Sequence, residues 1–208
     1  MGDLFHDDVP TEYIAAVFGV MAAASRHTFQ VLTKRPERMR RWFAGIQVVP
    51  HCHGIVPPAL VCLRAAGVTF AKNGEVLPVW MPGEPWRWPL PNVHLGVTIE
   101  NQARAEERIP DLLATPAALR FVSVEPMLGP VDLRRWLPGL VFAGVPALAW
   151  IIAGGESGPG ARTMRPEWVR SLRDQCTAAA VPFFFKQWAG QRAAGRLLDG
   201  REHVEVPR

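Results

Sequence analysis

Ionisable residues recur in this sequence just where a short apolar run gives out. The run endings are Asp3, Thr33-Lys34-Arg35, Thr98-Ile99-Glu100, Ser123-Val124-Glu125, Gly154-Gly155-Glu156-Ser157 and Lys186-Gln187-Trp188. Carboxylates and an amine gathered in one concave site shift one another's pKa values, and can then trade protons with a substrate or hold a charged ligand. Glu100, Glu125, Glu156 and Lys186 are therefore the candidate catalytic groups. Any one of them alone is explained as a helix cap or a strand-end ion pair. It is the repetition of the pattern that points to a site.

Other residues near these ends suit binding. Glycines after a strand let backbone amides approach a ligand, and Ser157 can donate or accept a hydrogen bond. The segment Gly154-Gly155-Glu156-Ser157-Gly158 is neither GxGxxG nor a Walker A loop, and a plain tight turn competes with the binding reading. Lys34 and Arg35 stand just before Pro36, which suits a first helical turn, so a helix N-terminus and two cations can meet an anion together. A solvated loop is the alternative. Trp188 offers a ring that stacks on a base or closes the core. No metal site is expected. His51 and His53 have no second ligand pair near them in sequence, and Cys52, Cys62 and Cys176 match neither zinc nor iron–sulfur spacing. Cys176 extends the apolar helical row Trp168, Leu172, Cys176 and reads as core.

The elements that must position these groups alternate between two periodicities. Residues 1–5 read as the end of a strand. Ile14, Val17, Phe18 and Met21 then share one helical face, with Asp8 or Thr11 as the cap. His27–Thr33 reads as a strand, and a helix after Pro36 carries Met39, Trp42, Phe43 and Ile46. Val93–Ile99 is a strand, and Asn101 caps a helix running to about Ala114. Leu119–Val124 is a strand. Residues 127–148 are irregular, with a short helical piece near Arg134–Leu137. Trp150–Gly154, a helix over Pro166–Ala179 and a strand over Pro182–Lys186 complete the pattern.

Residues 47–91 interrupt this order with eight of the twenty prolines and three tryptophans, and read as an insertion. Residues 190–208 read as a polar tail that frays. Residues 1–189 thus form one domain. Strands alternating with helices imply right-handed crossovers and a parallel sheet, all strand C-termini lying on one side. About six strands point to an α/β fold, first a partial (β/α) barrel of the TIM-barrel kind and second a doubly wound sheet. Period-two alternation places Val93, Leu95, Val97 and Ile99 on one face of their strand and His94, Gly96, Thr98 and Glu100 on the other. Regular strands to the last residue would bring Glu100, Glu125, Glu156 and Lys186 to one central mouth.

Composition bounds the partners. The chain has 208 residues, 49% hydrophobic and 20% charged, as a globular domain with a sizeable core requires. No apolar run reaches the ~18 residues of a membrane span, and the N-terminus has no basic or apolar leader region. The sparse, odd cysteine set fits a reducing compartment, and the chain reads as cytoplasmic. The net charge is +4, but the basic residues are dispersed among acids, so solvated helix faces explain them better than a nucleic-acid patch. An exposed sheet edge would favour self-association.

Several blocks, namely DLFH, HTFQVLTKRPERM, LPNVHLGVTIENQ, RFVSVEPMLGPVDL, IIAGGESGPGARTM and VPFFFKQW, resemble in the same order an uncharacterised phage-associated protein family found also in bacterial genomes. The resemblance covers nearly the whole chain except residues 47–91 and the tail. Full-length members look like partial barrels of the radical S-adenosylmethionine type, with a three-cysteine motif preceding the DLFH block. The resemblance therefore implies S-adenosylmethionine and a [4Fe–4S] cluster at the strand ends. It casts Asp3, Thr98, Glu100 and Ser123 as contacts to the nucleotide. This sequence starts at DLFH, so the cluster ligands are expected to be missing from it, in a truncated chain or a cluster-free relative. Two other readings stand beside that one: a cluster-independent barrel enzyme using Glu and Lys as acid and base, and a module that binds nucleic acid or protein.

Overall fold

A computed structural model describes residues 2–45, 89–138, 147–190 and 195–207. His51, Cys52, His53, Cys62 and nearly all of the 47–91 segment lie outside the described residues.

Five strands form one parallel sheet: β1 (Phe29–Thr33), β2 (Val93–Ile99), β3 (Leu119–Val124), β4 (Trp150–Gly154) and β5 (Phe183–Gln187). Their spatial order follows chain order. The described strands therefore have no order reversal of the kind that creates a doubly wound switch point. The helices are α1 (Thr11–Ala23), α2 (Pro36–Ala44), α3 (Gln102–Ala114) and α4 (Pro166–Ala178). Pro36 and Pro166 occupy first-turn positions, where the missing amide proton costs nothing. Asn101 caps α3, its side-chain oxygen accepting from Arg104 N at 3.1 Å. The α1 helix instead has Pro10 at its N-cap position and no side-chain cap, so neither Asp8 nor Thr11 plays that part.

Strand alternation divides the sheet as the sequence requires. Val93, Leu95, Val97, Ile99, Val122, Val124, Ile151, Ala153, Phe183 and Phe185 sink into a core shared with Ile14, Phe18, Met39, Ile109, Leu112 and Leu172 from the helices. Cys176 joins that core, and burial chiefly, with the nearby Glu205 charge, pushes its thiol up to about 12. The opposite face is built in rows set by register. Gly96 lies beside Phe121, and Phe121 beside Trp150. One step toward the C-terminal ends, Thr98 lies beside Ser123, Ser123 beside Ile152 and Ile152 beside Phe184. A β-carbon at Gly96 would stand 2.4 Å from Phe121 Cζ, so glycine is what lets that ring lie across β2.

The structure departs from the sequence reading in three places. Residues 2–5 make a turn, not a strand end, so among the described residues the sheet holds five strands rather than about six. The β4–β5 register slips between Ala153 and Gly154, so β5 does not keep strict alternation to its end. The described tail residues 195–207 do not fray. A hairpin of β6 (Leu197–Leu198) and β7 (Arg201–Glu202) turns through Asp199 and Gly200, both at positive φ. Phe185 N donates to His203 O at 2.8 Å, and Glu205 N to Phe183 O at 3.3 Å, so the tail pairs with β5. Leu198 and His203 are buried there. Among the described residues no helix is long and apolar enough to cross a membrane.

Candidate functional site at the strand ends

The chain leaving β3 laces neighbouring strand ends together. Glu125 N donates to Ile99 O (3.1 Å), Leu128 N to Glu100 O (2.8 Å) and Met127 N to Gly154 O (3.0 Å). The ends of β2, β3 and β4 are thereby fixed side by side. Below them, on the face away from the helix-packed core, Thr98 and Ser123 form adjacent hydroxyls, both buried and without a hydrogen-bond partner among the described residues. Lower still lie the rings of Phe121 and Trp150, with centroids 5.7 Å apart. This strand-end face, aromatic at its base, hydroxyl-bearing above that and charged at its rim, is the candidate cup.

The rim consists of ion pairs. Lys186 Nζ lies 2.6 Å from Glu125 Oε1. A β-carbon at Gly154 would come within 3.4 Å of the Glu125 carboxyl, so glycine there leaves room for it. Lys34 Nζ lies 2.7 Å from Glu100 Oε1, and Arg108 Nη1 lies 3.2 Å from Glu100 Oε2. Both lysine side chains are about half exposed. Glu156 takes Arg162 as partner, accepting from its backbone N, Nε and Nη2. These bonds hold the Glu156 carboxyl down at about 2. Glu156 in turn raises the Arg162 guanidinium, with a smaller contribution from the Glu100 charge. Of the four expected groups, Glu125 and Lys186 touch, whereas Glu100 pairs with Lys34 and Arg108, and Glu156 with Arg162. Glu156 accepts from its own loop, whereas Glu125 and Glu100 take cations from other elements: Lys186 of β5, Lys34 of the loop after β1 and Arg108 of α3.

Asp3 is placed against the end of β1 rather than within the cup. Its Oδ1 accepts from Thr33 Oγ1 (2.7 Å) and Phe5 N (3.0 Å), and its Oδ2 from Lys34 N (3.0 Å) and Arg35 Nη1 (3.1 Å). Burial alone would raise its pKa, but these bonds outweigh it and leave the carboxyl below its ordinary value. Arg35 is thus held by Asp3, and Lys34 is the cation turned to the rim.

The glycine-rich turn is occupied by its own backbone. Gly155 N donates to Gln187 O (2.9 Å), and a β-carbon there would come within 2.2 Å of Ala189 N. Gly155 is therefore required by chain packing. Ser157 is exposed and bridges to Gly190. Trp188 packs edge-on against Phe185, and its Nε1 donates to Leu197 O at 2.9 Å, which ties it to the tail.

Four contributors escaped sequence reading. Arg162 sits in a polar loop with nothing to distinguish it. Phe121 and Trp150 sit inside short apolar runs that give no sign of a ring layer. Arg108 had a usable signal: it stands in the otherwise apolar row Ala105, Ile109, Leu112 of α3. Its Nη1 also donates to Thr98 O at 2.7 Å.

A family model described as Protein of unknown function (DUF5131) matches residues 1–207. The chain belongs to this family. No curated protein and no solved structure matches it. The DUF5131 match runs through residues 47–91 and the tail, both of which the sequence reading set apart from the family blocks. The description of DUF5131 names no activity, which leaves the chemistry to the geometry of the cup.

Proposed function

We propose that this DUF5131 chain is a radical-S-adenosylmethionine-like partial (β/α) barrel of the phage-associated type, and that its strand-end cup binds S-adenosylmethionine. The observation that carries this reading is the layering: two unpartnered hydroxyls, Thr98 and Ser123, lie above an aromatic floor and beneath two Glu–Lys pairs. That donor set suits a zwitterionic nucleoside. The lysines at the rim offer cations to its carboxylate, and Glu125 offers an acceptor to its ammonium. The hydroxyls of Thr98 and Ser123 meet the polar groups of the nucleoside, and Phe121 and Trp150 limit how deep it sinks. When bound, S-adenosylmethionine supplies a sulfonium carbon open to attack or cleavage.

Asp3, Gly154, Gly155 and Ser157 shape the rim in this reading and do not touch the ligand. The oxygens of Asp3 and the amide of Gly155 are already engaged, and Gly154 makes room for Glu125. A [4Fe–4S] cluster does not fit the described residues. Cys176 is their only cysteine, and its thiol lies fully buried in the core.

Titration calorimetry of the full chain with S-adenosylmethionine tests the reading. Saturable one-site binding is expected. Thr98→Ala and Ser123→Ala should each weaken it about five-fold, corresponding to one hydrogen bond of about 1 kcal/mol. Absence of saturable binding would sink it. A second reading has its own support in the half-exposed, 2.6 Å Glu125–Lys186 pair: acid–base catalysis on another polar substrate. In that case Glu125→Gln would abolish turnover of the true substrate while S-adenosylmethionine fails to bind.

A further inference from the structure

Arg108 is only 8% exposed, yet it is a guanidinium set among Ala105, Ile109 and Leu112 on the sheet-facing side of α3. Its Nη1 donates to Thr98 O at 2.7 Å and to Glu100 Oε2 at 3.2 Å. Its Nε is buried without a partner. Stability alone does not account for this choice. A buried ion pair seldom outperforms a well-packed apolar side chain, and an unpartnered buried donor is a further cost. The position is informative instead. Arg108 grips the C-terminal end of β2 at two points, one on the backbone of Thr98 and one on the carboxylate of Glu100 just beyond it. The other oxygen of that carboxylate holds Lys34, whose side chain is 52% exposed.

We propose that Arg108 is a positioning residue of the strand-end cup, acting through Glu100 to hold Lys34 over the mouth. The chain of contacts runs from a buried, fixed guanidinium, through a nearly buried carboxylate, to a half-exposed amine. Only the last member is free to meet a ligand. Helix α3 thereby sets the direction of a cation that belongs to the loop after β1. This inference rests on the cup being a binding site, but its test needs no ligand.

The chain contains three lysines, Lys34, Lys72 and Lys186, so each can be followed separately by mass spectrometry after brief acylation. The reaction is run on the full-length wild type, Arg108→Met, Glu100→Gln and the double variant. Lys34 should react several-fold faster in Arg108→Met and in Glu100→Gln, and no faster again in the double variant. Lys186, held by Glu125, serves as the internal control and should be unchanged. An unchanged Lys34 rate in Arg108→Met, alongside a faster one in Glu100→Gln, would show that Arg108 does not act through Glu100. Lys34 and Lys186 rising together in Arg108→Met would mean a purely structural role, and would equally overturn the proposal. Where the wild type binds S-adenosylmethionine, the Arg108→Met affinity should fall about ten-fold and that of the double variant no further than Glu100→Gln. Where it binds none, the ligand assignment falls, and the labelling rates still decide the role of Arg108.

Discussion

Gly96 sits in the middle of β2 and Gly155 just past the end of β4, and a β-carbon would meet a different kind of neighbour at each. The β-carbon of an alanine at Gly96 would meet the Phe121 ring at 2.4 Å, and a ring can tilt. At Gly155 it would meet the backbone of Ala189 at 2.2 Å, and that segment is pinned by Gly155 N to Gln187 O and Gly190 N to Glu156 O. Gly96→Ala should cost about 1–3 kcal/mol, in the range of overpacked cores, and Gly155→Ala more. Thermal unfolding of the two variants checks the order, and equal losses would contradict it. Glu156 makes a residue-scale pH prediction. Its carboxyl is lowered from 4.5 to about 2 by its hydrogen bonds to Arg162. A depressed folded-state pKa contributes stability that is complete above the unfolded value and is lost as pH falls toward about 2. In Arg162→Met that contribution should vanish, and carboxyl NMR titration should find Glu156 back near its ordinary value.

At the scale of elements, the tail hairpin and β5 act as one unit. Asp199 at the hairpin turn accepts from Arg170 and Arg173 of α4, while residues 203 to 205 pair with β5. His203 is buried within this clasp, and burial first, then the Arg201 and Arg173 charges, lower its pKa, while Glu205 opposes the shift. The unfolded chain therefore takes up a proton near 6.5 while the folded one resists it. Stability supplied by the neutral histidine is present above that value and is lost as pH falls below it. Urea midpoints at about pH 5.5 and about pH 7.5 should differ less in His203→Gln than in the wild type. An unchanged pH slope would remove His203 from the clasp's energetics.

At the scale of the whole molecule, the two sheet edges differ. Among the described residues β1 pairs only with β2, whereas β5 is covered by the tail. Ending the chain after Gly195 would strip that cover and leave a second unpaired edge beside Phe183 and Phe185, so the truncated chain should elute as larger species in sizing chromatography. A monomeric truncated chain would argue that the tail's pairing has no protective role. Charge at this scale is largely spent internally. Most of the described arginines stand within ion-pair distance of an acid, among them Arg40 with Asp111 and Arg104 with Glu107. The net charge of +4 is thus spread thinly over paired side chains.

Local pattern was enough for the sheet and its helices. The alternation of Val93, Leu95, Val97 and Ile99 assigned the core face of β2. The row Leu172 and Cys176 assigned the buried side of α4, and Asn101 marked where α3 begins. These features depend on periodicity and capping, which act over a few residues. What the sequence could not specify was which charges meet. Lys186 and Glu125 are 61 positions apart, and Lys34 reaches Glu100 from another loop. Strand alternation alone would send Glu100, Glu125, Glu156 and Lys186 to a single point. In the structure Lys186 meets Glu125, Lys34 and Arg108 meet Glu100, and Arg162 meets Glu156. Side-chain direction at a strand end is set by the nearest donor in space, and that donor comes from elements that only the folded chain brings together.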